Sequence, residues 1–272
     1  MRFRLPALLL ATLLPAATPA ADGLLHERWS LAFGGYGNRL GLDGRIDGNT
    51  DVRGTPFDFD DSFGFDRHER LRMAELTLAP TQDHELRLRG FRDRRRHDTT
   101  LTEELVFSGV VFPVDADVRG RFGLDVLDLD YTWWRWRQAT RASGLVLGLT
   151  RLRAGIDLDG EARNDGGPPE PLRADYARHL YAPSLGLAFK AAPGERWRYR
   201  LDAGAMRLRH AGIHGTILEA SAAAEYFPAH RLGIGLRYTW TRLEAEGRRG
   251  DTLRGELDLD YAGWQLYLRL RS

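Results

Sequence analysis

The feature that most constrains the fold of this chain is an alternation of apolar and polar residues with a period of two. In the stretch "LDLDYTWWRWR" at 127–137, the leucines and the tyrosine fall on one side and Asp128, Asp130 and Thr132 fall on the other. Successive side chains of a β-strand point to opposite faces, so this pattern predicts a strand with one apolar and one polar face. One such strand fits a soluble sheet as well as a membrane barrel, so the recurrence of the pattern has to decide.

The alternation recurs along the chain, whereas the period typical of amphipathic helices is nearly absent. It predicts about ten strands, and an even number is typical of single-chain bacterial barrels. The strands are expected near 26–39, 66–79, 84–97, 117–137, 143–157, 174–190, 196–210, 214–227, 231–245 and 251–271.

Two segments leave the strand count open. At Ala262 and Gly263 the apolar face changes phase, so 251–271 is either one strand with a bulge or two short strands divided by a tight turn. The segment 101–122 either extends a hairpin above the membrane or supplies two further spanning strands. We therefore expect ten strands, with twelve as the alternative.

The connections between these strands alternate in length. Short ones at 79–85, 137–144, 190–196 and 227–231 contain Pro, Gly and polar turn residues, and longer polar ones lie between them, such as 39–68 and 157–175. Short turns at one end and long loops at the other are the layout of an outer-membrane barrel. The expected fold is an all-β, antiparallel up-and-down transmembrane β-barrel, and a soluble periplasmic sandwich is the main alternative.

Hydrocarbon imposes a second constraint on the chain. Every backbone amide there needs an internal partner, which only helices and closed barrels provide. In this interpretation the leucines face lipid, the aspartates face the lumen, and aromatic side chains mark the membrane interface. The aromatic residues near strand ends are Trp133, Trp134, Trp136, Trp197, Tyr199, Tyr226, Phe227 and Trp264.

The N-terminus reads as a secretory signal peptide. The stretch "MRFRLPALLLATLLPAATPAAD" has a basic start, an apolar run over 5–17 and small residues that allow cleavage after Ala20 or Ala21. We therefore expect residues 1–21 to be removed and residues 22–272 to form one barrel domain. The absence of cysteine excludes a disulfide framework, and a formal net charge of +1 gives no support for nucleic-acid binding.

The whole mature chain resembles small proteobacterial outer-membrane β-barrel proteins of unassigned function. The resemblance lies in the signal peptide, the alternating strands and the C-terminal "GWQLYLRLRS". It implies residence in the outer membrane of a Gram-negative bacterium, contact with its lipid, and insertion by the barrel-assembly machinery. In such barrels the last strand usually ends with an aromatic residue, whereas this chain ends with Ser272.

The polar faces of the predicted strands carry charges of both signs. A barrel of about ten strands has a narrow interior that side chains largely fill, so we expect an ion-paired plug. A thin channel for ions or small solutes is the alternative. The charges expected to face the lumen are Glu75, Arg87, Arg89, Asp128, Asp130, Arg198, Arg200, Asp202, Glu219, Glu225, Arg237, Asp258, Asp260 and Arg269.

Residues suited to catalysis or metal binding form no convincing constellation. The stretch "FDFDDSFGFDRHER" at 57–70 contains several aspartates, Ser62 and His68, without the spacing of a nucleophile–base pair or a calcium loop. His210 and His214 could ligate a metal, but two loop histidines are more often solvated. We expect no enzymatic activity, no metal and no cofactor, with an outer-membrane hydrolase as a distant alternative.

The basic stretch "FRDRRRH" at 91–97 lies where a strand is expected to leave the membrane for a long loop. Guanidinium groups bind phosphates in a bidentate manner, and the outer leaflet carries phosphorylated lipopolysaccharide. Arg92, Arg94, Arg95 and Arg96 are therefore the expected lipopolysaccharide contacts. The expected role of the protein is structural or one of surface interaction, through the loops 39–68 and 93–118.

Overall fold

The computed structural model of the chain describes residues 25–46, 55, 57–58, 68–108, 110–162, 170–210, 213–249 and 253–272. Within these ranges the regular structure is β-strand. No helix long and apolar enough to cross a membrane occurs in the part of the chain that the structure describes. The strands are β1 (Trp29–Ile46), β2 (Phe57–Asp58), β3 (His68–Leu78), β4 (His84–Thr100), β5 (Leu105–Phe107), β6 (Val110–Phe112), β7 (Asp117–Arg137), β8 (Arg141–Ala162), β9 (Glu170–Ala191), β10 (Trp197–His210), β11 (Ile213–Tyr226), β12 (Leu232–Arg249) and β13 (Leu253–Arg271).

Ten long strands form one closed antiparallel barrel, in which each strand pairs with its neighbour along the chain. The barrel closes between β13 and β1, from Ser30 opposite Arg271 to Ile46 opposite Gly255. The segment 101–122 adds no spanning strands, because β5 and β6 pair only with each other in a separate hairpin. The expectation of ten strands is confirmed, and the alternative of twelve is wrong.

Large apolar side chains point outward from one half of the barrel. This belt surrounds the half that contains Leu25, Ser272 and the short turns, here called the belt half, and the other half is called the outer half. The belt is formed by Phe33, Leu78, Leu86, Leu88, Leu127, Leu129, Trp133, Trp136, Leu145, Leu147, Leu149, Tyr181, Leu185, Leu187, Trp197, Tyr199, Leu201, Leu218, Leu232, Ile234, Leu236, Tyr238, Trp264, Leu266, Leu268 and Leu270.

The two faces of the barrel wall exchange their polarity where the belt ends. In β7, Leu127 and Leu129 point outward while Asp128 and Asp130 are buried inside. Nearer the start of the same strand Phe122 and Leu124 are buried inside, and the outward positions include the charged residues Arg119, Arg121 and Asp125. A strand of 22 residues, such as β8, rises about 55 Å at the usual spacing and tilt, whereas a membrane belt needs only about 25 Å. The outer half therefore extends well beyond the belt.

The last strand crosses this boundary without a bulge or a turn. Pairing of β13 with β12 is continuous through Ala262 and Gly263, so neither of the two alternatives expected there is correct. The sequence changes phase because the strand leaves the belt, and its outward positions then become polar. Asp258 and Asp260 consequently lie exposed on the outer face, and the expectation that they face the lumen is wrong. A shift of register does occur in β7, between Trp133 and Trp136.

Candidate functional site

Glu75 of β3 organises one ion-pair network inside the belt half. Its carboxylate accepts a hydrogen bond from Nη1 of Arg237 on β12 at 2.6 Å and another from Arg269 on β13. Arg269 also pairs with Glu225 at 3.0 Å, and the hydroxyl of Tyr267 donates to Glu225 at 2.6 Å. The side chains of Glu75 and Arg237 are each 1% exposed, so this network is sealed from solvent.

A second network crosses the lumen from β4. Nη2 of Arg87 lies 2.9 Å from Asp130 on β7 and 3.1 Å from Asp202 on β10, which stands four strands away around the barrel. Arg200 links Asp202, at 3.0 Å, to Glu85, at 2.6 Å. Because this network joins distant parts of the wall, it fills the middle of the lumen.

At the end nearest the short turns, the second network contacts the aromatic ring of Trp134. Glu85 accepts a hydrogen bond from Nε1 of Trp134 at 3.1 Å and from Nζ of Lys190 at 3.3 Å. The Lys190 ammonium also stands 4.1 Å from the centroid of the Trp134 ring, a cation–π geometry. Trp134 and Phe227, expected at the membrane interface, are instead buried inside the barrel.

Most of the charges expected in the lumen are placed there by the structure, and they lie within these networks or beside them. Sequence reasoning missed Glu27, Glu85, Lys190 and Arg271. Glu85 follows the same alternation as Arg87 and Arg89, which is the signal that could have found it. Among the residues that the structure describes, the inward charges of the belt half are equal in number for the two signs: Glu27, Glu75, Glu85, Asp128, Asp130, Asp202, Glu219 and Glu225 against Arg87, Arg89, Lys190, Arg198, Arg200, Arg237, Arg269 and Arg271.

The outer half encloses a mainly apolar core. Tyr36, Phe91 and Tyr261 form an aromatic group, with ring centroids 5.2 to 5.6 Å apart. Around it pack Leu124, Ile156 and other buried apolar side chains of the wall. A buried ion pair between Asp93 and Arg95, at 2.8 Å, lies on the inward face of β4 in the same half.

The hairpin of β5 and β6 covers this core from the open end. Phe107 and Phe112 are fully buried among the side chains of the outer half. Phe112 lies so close to β8 that a Cβ atom at Gly160 would stand 3.0 Å from its ring. Thr55 fixes the hairpin from a second loop, through backbone and hydroxyl hydrogen bonds to Val106 of 3.0 Å each. The hairpin therefore covers the core, and we use the name lid for residues 101–108 and 110–116.

Arginines form a row on the outer face directly above the belt. Arg72, Arg92, Asp125, Arg153 and His179 lie opposite one another on five consecutive strands, and all of them point outward. Nε of Arg92 is 2.6 Å from Asp125, which is the one acidic member of this row. The row therefore carries an excess of positive charge at the level where the belt ends.

The structure divides the arginines of the "FRDRRRH" stretch between the two faces. Arg92 and Arg94 point outward and share Asp125, with Nη2 of Arg94 at 2.7 Å, and Arg96 is also exposed. Arg95 points into the barrel and pairs with Asp93, so its expected contact with lipopolysaccharide is wrong. The cause is the alternation of the strand itself, which places every second residue inside.

The outer wall above the arginine row is polar and contains ion pairs between neighbouring strands. Nε of Arg119 lies 2.7 Å from Asp98, and both side chains are exposed. The hydrogen bond from Arg119 lowers the pKa of the Asp98 carboxyl below its ordinary value. Asp98 therefore stays ionised, and able to pair with Arg119, at lower pH than an isolated carboxylate would.

The acidic and histidine-containing motifs lie mostly outside the described residues. Of the 57–70 stretch the structure describes only the backbone of 57–58 and 68–70, and His210 is likewise described by its backbone alone. The side chain of His214 is exposed. In the ranges that the structure describes, no group of three or more His, Asp or Glu side chains is placed to hold a metal ion.

Comparison with known proteins defines the class of fold. No protein-family model matches the chain, and no curated protein sequence matches it significantly. Among solved structures, the barrel is similar to the outer-membrane protease OmpT from Escherichia coli, with a TM-score of 0.59 and 9% identity over 94% of this chain and 100% of OmpT. It is less similar to the toluene transporter TodX from Pseudomonas putida, with a TM-score of 0.36 and 9% identity over 91% and 90% of the two chains.

The barrel, its belt and this similarity together define the chain as a protein with the fold of a bacterial outer-membrane β-barrel. At 9% identity the similarity to OmpT shows the fold alone. Activity has to be argued from the residues of this chain.

Proposed function

We propose that the protein is an exported outer-membrane barrel with a closed lumen and a structural or surface-interaction role, without catalysis. Its single supporting observation is the lumen of the belt half, where Arg87, Arg237 and Glu75 are each 2% exposed or less. Ion pairs tie β4 to β10 and β3 to β12 across the lumen, and in this proposal they close it to a continuous column of water. The alternative function, a narrow channel, requires these ion-pair networks to open.

Placement in the outer membrane follows from the belt. Twenty-six large apolar side chains on one outward band have no protein layer against them within the described residues. Such a surface is far larger than the apolar patches of soluble monomers. In this proposal residues 1–21 are cleaved after export, residues 22–272 form the barrel, and the assembly machinery inserts it. The oligomeric state stays open.

Single-channel recording in planar bilayers tests the closed lumen. The refolded protein should give no stable conductance steps, whereas a variant with Arg87→Ala and Arg237→Ala should conduct intermittently, because the central guanidinium group of each network is then removed. Arg242→Ala is the matched control, since Arg242 lies on β12 with Arg237 but points outward. Stable steps from the unmodified protein would establish the channel instead.

Contact with phosphorylated lipid is the interaction that a specific observation favours. The arginine row stands directly above the belt, at the level of the phosphates in an outer leaflet, and Arg72, Arg92 and Arg153 contribute from three different strands. Guanidinium groups bind phosphate oxygens in a bidentate manner. We propose that this row, together with Arg94 and Arg96, binds the phosphates of lipopolysaccharide.

Co-purification measures this contact. The variant Arg72→Ala, Arg92→Ala, Arg153→Ala should carry less lipopolysaccharide phosphate per protein than the unmodified barrel, at equal yield from outer membranes. Arg119→Ala, which removes an exposed arginine higher on the same wall, should change nothing. An unaltered phosphate content in the triple variant would refute the proposed contact while leaving the closed lumen untouched.

A further inference from the structure

A cavity lies inside the barrel between the ion-pair plug and the lid. Its volume is about 70 Å³, whereas one water molecule needs roughly 10–15 Å³ measured in this way. The space therefore suits several water molecules or one small organic ring. Its floor is formed by charged residues of the plug, and the arginine row on the outer face does not contribute to it.

The wall of this cavity is mainly apolar. Leu152, Met206, Ile217 and Leu243 supply aliphatic surface, and Phe91 lies beside them. The hydroxyl of Tyr36, another wall residue, is engaged by Thr239 at 2.6 Å, so the ring is what this tyrosine offers to a ligand. Apolar cavities of this kind bind small apolar molecules in preference to water.

One polar group on the floor of the cavity lacks a hydrogen-bond partner among the described residues. Nε and Nη2 of Arg89 bind Asp128 at 3.3 and 3.2 Å, and Nη2 also reaches Glu219 at 3.5 Å. Nη1 of Arg89 is buried and has no hydrogen-bond partner among the residues that the structure describes. A buried donor without an acceptor is costly, so an acceptor in the cavity would be held there.

Charge at the floor selects the kind of acceptor. Arg89 stands against two carboxylates, Asp128 and Glu219, and all three side chains line the cavity. The group is therefore short of positive charge, and a further anion would be repelled. A neutral oxygen, such as that of a ketone or an alcohol, accepts a hydrogen bond without adding charge.

We propose that this cavity is a binding site for a small neutral molecule with an apolar, ring-sized body and one hydrogen-bond-accepting oxygen. Nη1 of Arg89 donates to the oxygen, and the apolar wall surrounds the body. The lid covers the site, because Phe107 and Phe112 close the same apolar core from the open end. Entry from outside then requires the lid to move.

Three ligands of matched size test the proposal on the full mature protein in detergent, by ligand-observed nuclear magnetic resonance titration. Acetophenone has the ring and a neutral acceptor, ethylbenzene lacks the oxygen, and benzoate replaces the ketone by an anion. We expect saturable one-to-one binding of acetophenone, with ethylbenzene weaker by about ten-fold because it cannot pair with Arg89. Benzoate should bind more weakly than acetophenone.

A matched pair of variants separates the cavity from detergent and from the belt. Ile217→Phe fills the cavity and should weaken acetophenone binding by ten-fold or more by estimate, whereas Leu218→Phe, the next residue, points outward and should leave it unchanged. Absence of saturable acetophenone binding would overturn the site. Equal binding of ethylbenzene, tighter binding of benzoate, or retention of binding in a folded Ile217→Phe variant would each overturn it as well.

Discussion

The ring of Tyr267 occupies the space that a side chain at Gly235 would need. A Cβ atom added at Gly235 would stand 2.3 Å from two carbon atoms of that ring. The same ring carries the hydroxyl that donates to Glu225, so the absence of a side chain at Gly235 leaves room for part of the ion-pair plug.

Gly235→Ala should therefore destabilise the barrel although it adds a single methyl group. The ring of Tyr267 must move, which costs about 1–3 kcal/mol of overpacking, and its hydrogen bond to Glu225 is strained. Equilibrium unfolding in urea with lipid vesicles measures the change. Gly35→Ala is the control, because a Cβ atom there meets no other atom within 4 Å. Equal stability of the two variants would contradict this account of Tyr267.

Arg237→Met should lower the free energy of unfolding by about 3–5 kcal/mol, because Glu75 then loses one of its two buried partners. Arg242→Met on the outward face of the same strand should stay within about 0.5 kcal/mol of the unmodified protein. Thermal unfolding in detergent compares the two. Adding Glu75→Gln to Arg237→Met should recover part of the loss, since the uncompensated carboxylate is removed. A double variant less stable than Arg237→Met would argue against ion pairing as the source of the effect.

Arg94 and Arg95 are neighbours in sequence, and their substitutions should have opposite consequences. Arg95→Ala removes the guanidinium group that pairs with the buried Asp93. We therefore expect lower stability and unchanged binding of lipopolysaccharide. Arg94→Ala removes an exposed guanidinium, so we expect unchanged stability and weaker binding. Unfolding curves and phosphate analysis of each purified variant provide the two readings. If both variants behaved alike, the assignment of these residues to opposite faces would be wrong.

Phe112→Ala should loosen the lid without unfolding the barrel. Truncating a buried phenylalanine typically costs about 3–5 kcal/mol, and here that loss falls on the docking of the hairpin. Cleavage by a glutamate-specific protease after Glu103 or Glu104 should become faster, while cleavage elsewhere keeps its rate. Val111→Ala is the control, since Val111 is 45% exposed on the same hairpin. Unchanged cleavage in the Phe112 variant would show that this ring does not hold the lid.

The alternation of the sequence was enough to predict the barrel and its ten strands. It divides the residues of each strand between two faces, and short connections then require neighbouring strands to pair. Alternation does not say which face is inside. For Asp258 and Asp260 the apolar residues of the belt mislead, because the two aspartates lie beyond the point where the belt ends. That point depends on how high each residue stands in the barrel, which only the register of all the strands determines.

The partners within the lumen could not have been predicted either. Arg87 and Asp202 are 115 residues apart, and their contact depends on the circumference and stagger of the closed barrel. The arginine row could not be predicted from the sequence for the same reason. Arg72 and Arg153 lie far from Arg92 in sequence, on β3 and β8, and they join it only through cross-strand register. In the sequence the clustered arginines at 92–96 are the more prominent basic feature, although one of them points inward.

The exchange of polarity along each strand fixes the depth at which the barrel would sit in a bilayer. Sliding outward by one pair of residues would bring the rim leucines into water, at about 1.5–3 kcal/mol for each side chain fully uncovered. Sliding inward would draw the guanidinium groups of Arg72 and Arg153 toward hydrocarbon, at up to about 2–4 kcal/mol each for the deepest positions. Since the strands are hydrogen-bonded into one rigid wall, these penalties act together. The depth of the barrel in a bilayer is thus set by the sequence of its outward positions, and it does not depend on what occupies the interior.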